Sequence, residues 1–206
     1  LTAIQALDLM QAQTVRTIFI AGGTGNLGAM AIPIAKSRGL RVVTNGSAAN
    51  RERVLAIGAD RFIDYRTEDY ASVLHDVDYV LDTLGGAELK REFGIMRDGG
   101  HLVTLRGIPN GRFAKRMGIT GVRRLTFSWA GRTYDRLAAR HGQTYDFLFV
   151  HEDGRGLSSL DEAFDASNPL PTSVDAVFDL EDVNKALEKV RSGHSRGKTV
   201  LRISAE

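Results

Sequence analysis

Thr14-Val15-Arg16-Thr17-Ile18-Phe19-Ile20-Ala21-Gly22-Gly23-Thr24-Gly25-Asn26-Leu27-Gly28 is the stretch on which the fold turns. The run from Thr14 to Ile20 predicts a strand, because β-branched and aromatic side chains fit a pleated, buried surface. The glycines after it end the strand, and Leu27 to Arg38 then reads as an apolar helix of small residues closed by Gly39. Pro33 falls inside that helix, where it removes one backbone hydrogen bond and is expected to bend it.

Downstream, the alternation repeats. Leu40 to Thr44 predicts a second strand, Ala49 to Ile57 a helix closed by Gly58, and Arg61 to Tyr65 a third strand. Tyr79 to Asp82 predicts a fourth strand, left through Gly85-Gly86; Ala87 to Met96 is helical. Gly99-Gly100 is expected to turn the chain into a fifth strand, His101 to Leu105. Strands separated by helices of roughly ten residues imply right-handed crossovers and a parallel sheet. The expected fold class is therefore α/β, a Rossmann-type doubly wound parallel sheet with helices on both faces.

Beyond this the pattern loosens. Residues 108–143 hold eight basic side chains (Arg112, Lys115, Arg116, Arg123, Arg124, Arg132, Arg136, Arg140) against one acid, Asp135, and read as a solvated Arg-rich face. An aromatic strand, Tyr145 to Val150, follows, then a short helix from Leu157 to Phe164 and a linker from Ser167 to Pro171. Val174 to Phe178 predicts a strand, Leu180 to Arg191 a helix, and Thr199 to Ile203 a last strand. The expected division is a dinucleotide-binding domain over 1–150 and a C-terminal segment over 151–206.

Composition narrows the classes. The chain has 206 residues, 43% hydrophobic and 25% charged, which suits a globular protein with a real core. It has no cysteine, which excludes disulfides, thiolate metal sites and cysteine nucleophiles within these residues. Even counting Pro33, the longest apolar run is Ala29 to Ala35, too short for the ~20 residues of a membrane span. No basic-then-apolar signal opens the chain, so a cytoplasmic protein with no membrane partner is expected. A net charge of +2 does not argue for nucleic acid, and none is expected as a partner. Leu1 already reads as helix, without a cap or a methionine, which suggests a processed N-terminus or a fragment.

One motif carries chemistry. Gly23-x-Gly25-x-x-Gly28 stands between a predicted strand and a predicted helix, the setting of a dinucleotide fingerprint. Gly23 allows the tight turn, Gly25 lets the main chain approach a pyrophosphate, and Gly28 lets the helix pack on the sheet. The helix N-terminus offers free N–H groups to the anionic oxygens. The end of the second strand then chooses between nicotinamide cofactors. A carboxylate there would bind the ribose hydroxyls of NAD, but this chain has Thr44-Asn45-Gly46-Ser47 and no acid before Glu52. Ser47 and Asn50 can donate hydrogen bonds and Arg51 or Arg53 can supply charge, which favours NADP(H) and counts against a methyltransferase.

Other motifs fail. No Tyr-x-x-x-Lys pair exists, and the five histidines have no metal-binding spacing, so no metal site is expected. Gly193-His194-Ser195-Arg196-Gly197 matches a hydrolase elbow, but a helix precedes it and a strand follows, which inverts the required context; it reads as a turn.

Several segments together resemble the medium-chain dehydrogenases/reductases, in particular the zinc-independent, quinone-oxidoreductase-like branch. They are Leu1 to Leu7, Ala21 to Gly28, Ile57 to Asp60 with Ile63 to Tyr65, Asp78 to Gly86, Gly99 to Val103, and Phe178 to Asp182 with Gly197 to Leu201. The resemblance implies that Thr24, Gly25, Asn26 and Leu27 wrap a pyrophosphate. It places Ser47, Asn50 and Tyr65 around an adenosine 2′-phosphate, and Thr83, Leu105, Arg106, Gly107, Phe149 and Thr2 nearer the ribose and nicotinamide. Where the family often has a lysine this chain has Asn50; Arg51 stands one position off, about 100° round a helix, which leaves open whether it substitutes. The resemblance further implies an NADPH-dependent oxidoreductase acting on a quinone, enone or other small carbonyl compound. It also implies a preceding GroES-like domain against which part of 151–206 packs, and a homodimer through the strand Tyr145 to Val150. No catalytic side chain is named, because in this family the protein mainly positions the nicotinamide. The alternatives are a module that binds NADP(H) without turnover, and an interaction protein whose glycine loop is empty.

Overall fold

A computed structural model of the chain describes residues 1–167, 169–171, 174–193 and 197–203. A helix, α1 (Thr2–Leu9), leads into a six-stranded parallel sheet: β1 (Thr17–Ile20), β2 (Arg41–Gly46), β3 (Arg61–Asp64), β4 (Val77–Asp82), β5 (Met96–Thr104) and β6 (Thr144–Phe147). The spatial order is β3-β2-β1-β4-β5-β6, the doubly wound arrangement expected from the alternation of strands and helices. The crossovers are α2 (Asn26–Ser37), α3 (Arg51–Ala56), the short α4 (Tyr70–Val73) and α5 (Glu88–Ile95). Ile18, Ile20, Val42 and Leu81 face a core shared with α1 and α2, while Phe19, Val43, Val80 and Leu102 face one shared with α4 and α5. Alternation along each strand therefore buries both faces, as a parallel sheet requires.

Several boundaries differ from the sequence reading. β1 begins at Thr17 rather than Thr14, because Val15 is exposed with φ +65°, a left-handed geometry that no strand accommodates. Gly99-Gly100 does not turn the chain before β5 but lies within it; Gly99 takes φ +73°, and the pairing with β4 shifts register between Val77 and Tyr79. β6 ends at Phe147 rather than Val150. α2 runs unbroken through Pro33, which sits on its buried side.

The basic segment 108–143 folds as three helices, α6 (Gly111–Arg116), α7 (Gly121–Ala130) and α8 (Arg132–Ala139). It is not simply a solvated face. Arg112 and Arg116 reach the fully buried carboxylate of Asp146, which also contacts His101 Nε2 at 2.9 Å. Burial alone would raise the Asp146 pKa, yet these three donors hold it below the ordinary carboxylate value. Asn110 Nδ2 and Arg116 Nη2 donate to the carbonyls of Tyr145 and Phe147. Leu148 N–H donates to Thr104 O, so alternate residues Tyr145 and Phe147 face away from β5 and their outer carbonyls are occupied.

After α9 (Gly154–Ala163), Leu160, Phe164 and Leu170 still pack on the α1/α2 core. β7 (Val174–Asp179), α10 (Val183–Arg191) and β8 (Lys198–Arg202) then form a small β-α-β unit whose principal contacts are with one another. Val174, Val177, Leu187 and Val190 of this unit are exposed. The segment read as a turn at 193–197 follows α10 and precedes β8, but residues 194–196 lie outside the described residues.

Candidate functional site

The order of the sheet reverses direction between β1 and β4, and the loops leaving their carboxyl ends open a crevice there. Gly22 turns the chain out of β1 at φ +69°, and its N–H donates to Asn45 Oδ1 at 2.8 Å. Thr83 Oγ1 donates to the carbonyl of Ala21 at 2.7 Å, which ties the β4 loop to the β1 loop. A Cβ on Gly23 would overlap Thr44 Oγ1 and lie 2.8 Å from Thr44 Cβ; Thr44 cannot withdraw, since its hydroxyl donates to Ile20 O at 2.7 Å inside the sheet. A Cβ on Gly28 would overlap Gly23 Cα and lie 2.7 Å from its carbonyl carbon. These two glycines thus let α2 approach β1 and β2 more closely than any side chain permits.

Gly25 is the N-cap of α2, and no side chain caps the helix. Gly25 and Asn26 are exposed, Thr24 and Leu27 half-buried. The first-turn amides of a twelve-residue helix therefore open onto the crevice with the positive end of its dipole behind them. That arrangement suits a pyrophosphate.

On the β2–β3 side, a cleft of about 720 Å³ is lined by Gly22, Thr24, Asn45, Gly46, Tyr65 and Leu84, together with the charged side chains of Arg66, Glu88 and Arg91. Tyr65 is 57% exposed, its ring beside the Arg66 guanidinium. Ser47 leads into a 3₁₀ turn ending at Asn50, whose Nδ2 donates to Ser47 Oγ at 3.1 Å. Arg51 is turned away: its guanidinium lies over the Phe62 ring, 5.7 Å from the centroid. Arg53 instead reaches the glycine loop, with Nη2 donating to Thr24 O at 2.6 Å.

On the other side, Asp82 ends β4 fully buried. Its Oδ1 accepts the amides of Leu84 and Gly85 at 2.8 Å each, and its Oδ2 accepts Thr104 Oγ1 at 2.5 Å. The loop after β5 packs on the loop after β4, since a Cβ on Gly85 would come 2.6 Å from Arg106 O. Gly107 sits against Tyr145 Oη, which accepts Ile108 N–H at 3.0 Å and donates to Ile108 O at 2.9 Å. Leu105 packs into the α1/α2 core while Arg106 stays exposed. Behind Asp82, Glu92 of α5 is completely buried, and neither carboxyl oxygen finds a well-formed donor among the described residues. Burial, then the charges of Asp82 and Glu88, push its pKa up to about 9.

The structure thus gathers Gly23, Thr24, Gly25, Asn26, Leu27, Gly28, Ser47, Asn50, Tyr65, Thr83, Leu105, Arg106 and Gly107 along the carboxyl edge of the sheet. Phe149, 62% exposed, lines a second cleft of about 580 Å³ with Gln5, Phe113, Phe147 and His151. Thr2 opens α1 and lines neither cleft, although Gln5 one turn on donates to His151 O at 2.9 Å. Sequence reading missed Asn45, Asp82 and Tyr145 as supports of the loops. A lone amide or carboxylate at the end of an apolar strand was the available signal.

A family model described as zinc-binding dehydrogenase matches residues 57–201. The chain belongs to this family. It is a medium-chain dehydrogenase over its cofactor-binding part, as the motifs indicated. A curated relative, the mitochondrial NAD(P)H oxidoreductase RTN4IP1 of Danio rerio, is 30% identical over 194 residues, covering 91% of this chain and 49% of that protein. The trans-enoyl reductase himH of Aspergillus japonicus is 34% identical over 110 residues, covering 50% of this chain and 32% of that one. Among solved structures, the quinone oxidoreductase from Coxiella burnetii superposes with a TM-score of 0.79 at 24% identity, covering 98% of this chain and 57% of that one. The chain thus spans about half the length of RTN4IP1, and its match covers about a third of himH. The family description includes zinc, but the chain has no cysteine, and no group of three or more potential metal ligands occurs among the described residues. The described residues of this medium-chain dehydrogenase therefore do not by themselves fit a zinc ion.

Proposed function

We propose that this chain is the cofactor-binding half of an NADPH-dependent oxidoreductase that reduces a quinone, an enone or a similar small carbonyl compound. The observation that carries the reading is the uncapped N-terminus of α2 at the crevice, with Gly23 and Gly28 packed too tightly for any side chain. A nicotinamide cofactor, when bound, supplies hydride. The amides of Asn26 and Leu27 and the exposed main chain at Gly25 hold the pyrophosphate. Ser47, Asn50 and Tyr65 take the adenosine end. Thr83 and Leu105 to Gly107 set the height of the ribose and nicotinamide end, braced by Asp82 and Tyr145 from behind. No side chain here needs to act as acid, base or nucleophile, because orientation of the nicotinamide against a polarised acceptor carries the reaction. The names of the two curated relatives, an NAD(P)H oxidoreductase and an enoyl reductase, support the reaction class.

Calorimetric titration with NADPH and, separately, NADH tests the reading. Preferential NADPH binding is the expected result, and no binding of either dinucleotide overturns it. If NADPH binds but is never consumed in the presence of quinones or enones by the full-length protein, the module without turnover is the correct reading.

The exposed apolar residues of the β7-α10-β8 unit support packing of that unit against a further domain. No helix among the described residues is long and apolar enough to cross a membrane. A cytoplasmic setting is the proposal from sequence, and imaging of the tagged full-length protein checks it against the mitochondrial setting in the name of the Danio rerio relative. Self-association through β6 would require Asn110 and Arg116 to release the outer carbonyls, so we place any homodimer contact away from that edge.

A further inference from the structure

We infer that Glu92 is a positioning residue for the cofactor site: it donates its carboxyl proton to Asp82 and so braces the loops after β4 and β5 from behind. The assignment rests on the dinucleotide reading above. Glu92 falls on the inner stripe of α5 with Leu89 and Phe93, a place that the neighbouring turns fill with apolar side chains. It is completely buried, and neither of its oxygens receives a hydrogen bond from a donor among the described residues. The polar group it meets is a second carboxyl, that of Asp82, with which it stands in hydrogen-bonding contact.

A carboxylate offers about four acceptor sites. Three donors already occupy Asp82: the amides of Leu84 and Gly85 on Oδ1 at 2.8 Å each, and Thr104 Oγ1 on Oδ2 at 2.5 Å. Asp82 is therefore the acceptor of the pair, and the O–H of Glu92 fills the site that remains. Other charged and titratable groups reach the pair from three elements: Glu88 and Arg91 on α5, Tyr70 on α4, and Tyr145 on β6 at the Asp82 side. None of them gives Glu92 a hydrogen bond. Arg91 is engaged by Glu88 and Asp69, Tyr70 Oη donates to Glu88 Oε2 at 2.7 Å, and Tyr145 Oη donates to Ile108 O.

What Asp82 holds is the nicotinamide end of the crevice. Leu84 and Gly85 follow Thr83, which is tied to Ala21 O, and Gly85 packs on Arg106 O. Thr104 leads directly into Leu105, whose amide donates to Asp82 O at 3.1 Å. Loss of the Glu92 proton sets a second negative charge against Asp82 in a site closed to water, and both loops lose their common anchor.

The test is calorimetric titration of the full-length protein with NADPH from pH 7 to pH 10, in the wild type, E92Q and E92L. Burial and the neighbouring carboxylates push the Glu92 pKa up to about 9, so the proton is in place at pH 7 and mostly lost at pH 10. Affinity scales with the protonated fraction, and the wild type should bind about tenfold more weakly at pH 10 than at pH 7. E92Q donates to Asp82 without titrating and should stay within about twofold over that range. E92L fills the space without a donor and should bind about three- to tenfold more weakly than E92Q at pH 7. The assignment is overturned if E92Q follows the wild-type pH profile, because another group then titrates, or if E92L binds as E92Q does. Where E92L fails to fold, the wild type and E92Q decide between them. Failure of the wild type to bind NADPH at any pH removes the dinucleotide reading instead. The carbon-13 shift of the Glu92 carboxyl then reads the pair directly, and titration at the ordinary glutamate value overturns the shared proton as well.

Discussion

Replacing Glu92 with glutamine should stabilise this protein, and by an amount that depends on pH. Glu92 is 0% exposed and its pKa is pushed from 4.5 up to about 9, by burial first and then by Asp82 and Glu88, with Arg91 opposing. Between those two values the native chain holds a proton that the unfolded chain has released. Stability must therefore fall as pH rises through this window, by about 1.4 kcal/mol per pH unit from this one group. The contribution is fully present below pH 4.5 and is lost as pH approaches 9. At pH 7, keeping Glu92 protonated costs about 3 kcal/mol relative to the unfolded carboxylate, a large share of the 5–15 kcal/mol that holds a domain together. Glu92→Gln has nearly the same shape, cannot ionise, and can still donate to Asp82. Denaturant unfolding followed by far-ultraviolet circular dichroism at pH 5, 6, 7 and 8 reads the difference. The variant should match the wild type within about 1 kcal/mol at pH 5 and exceed it by about 3 kcal/mol at pH 7. D82N should flatten the wild-type slope in part, because it removes the like charge facing Glu92. A stability difference between E92Q and wild type that stays constant from pH 5 to 8 would refute the reasoning, since Glu92 would then titrate alike in both states.

Gly23→Ala drives a methyl group into Thr44, so it should cost about 1–3 kcal/mol and abolish dinucleotide binding; thermal unfolding and calorimetry check this, and T44A should rescue stability in part. Asp146→Ala removes the buried acceptor shared by His101, Arg112 and Arg116 and, since both arginines can turn to solvent, should cost about 1–3 kcal/mol by denaturant titration. In the wild type the Asp146 contribution, present above its ordinary pKa of 3.8, should disappear as pH falls through its lower folded value. Tyr145→Phe removes both bonds to Ile108 and should cost about 1–2 kcal/mol, while weakening NADPH binding by loosening the loop at Leu105 to Gly107. Light scattering at micromolar concentration should give no dimer through β6, and N110A/R116A should increase self-association by freeing the edge carbonyls.

The parallel sheet and the glycine loop were legible in residues 14–105, because the elements that make them are written locally. Strand and helix periodicities alternate, glycines close each helix, and a fingerprint sits between the first strand and its helix. The absence of an acid after Thr44 was equally legible, and with it the lean toward a phosphorylated ribose. Three things were not. α6 and α7 pack in ways no apolar periodicity records, since α6 is held by Phe113 and by arginines on a buried aspartate, and α7 buries no residue. Which way Arg51 points depends on helix phase and on Phe62, which comes from a neighbouring strand. The bonds of Asn45 to Gly22, Asp82 to Thr104 and Tyr145 to Ile108 join residues 22 to 37 positions apart. Sequence by itself determined where the chain turns, which faces are apolar and which loop can hold a phosphate. Tertiary structure alone decided which polar side chains meet, because burial, charge and hydrogen bonding act through space and no local pattern records them.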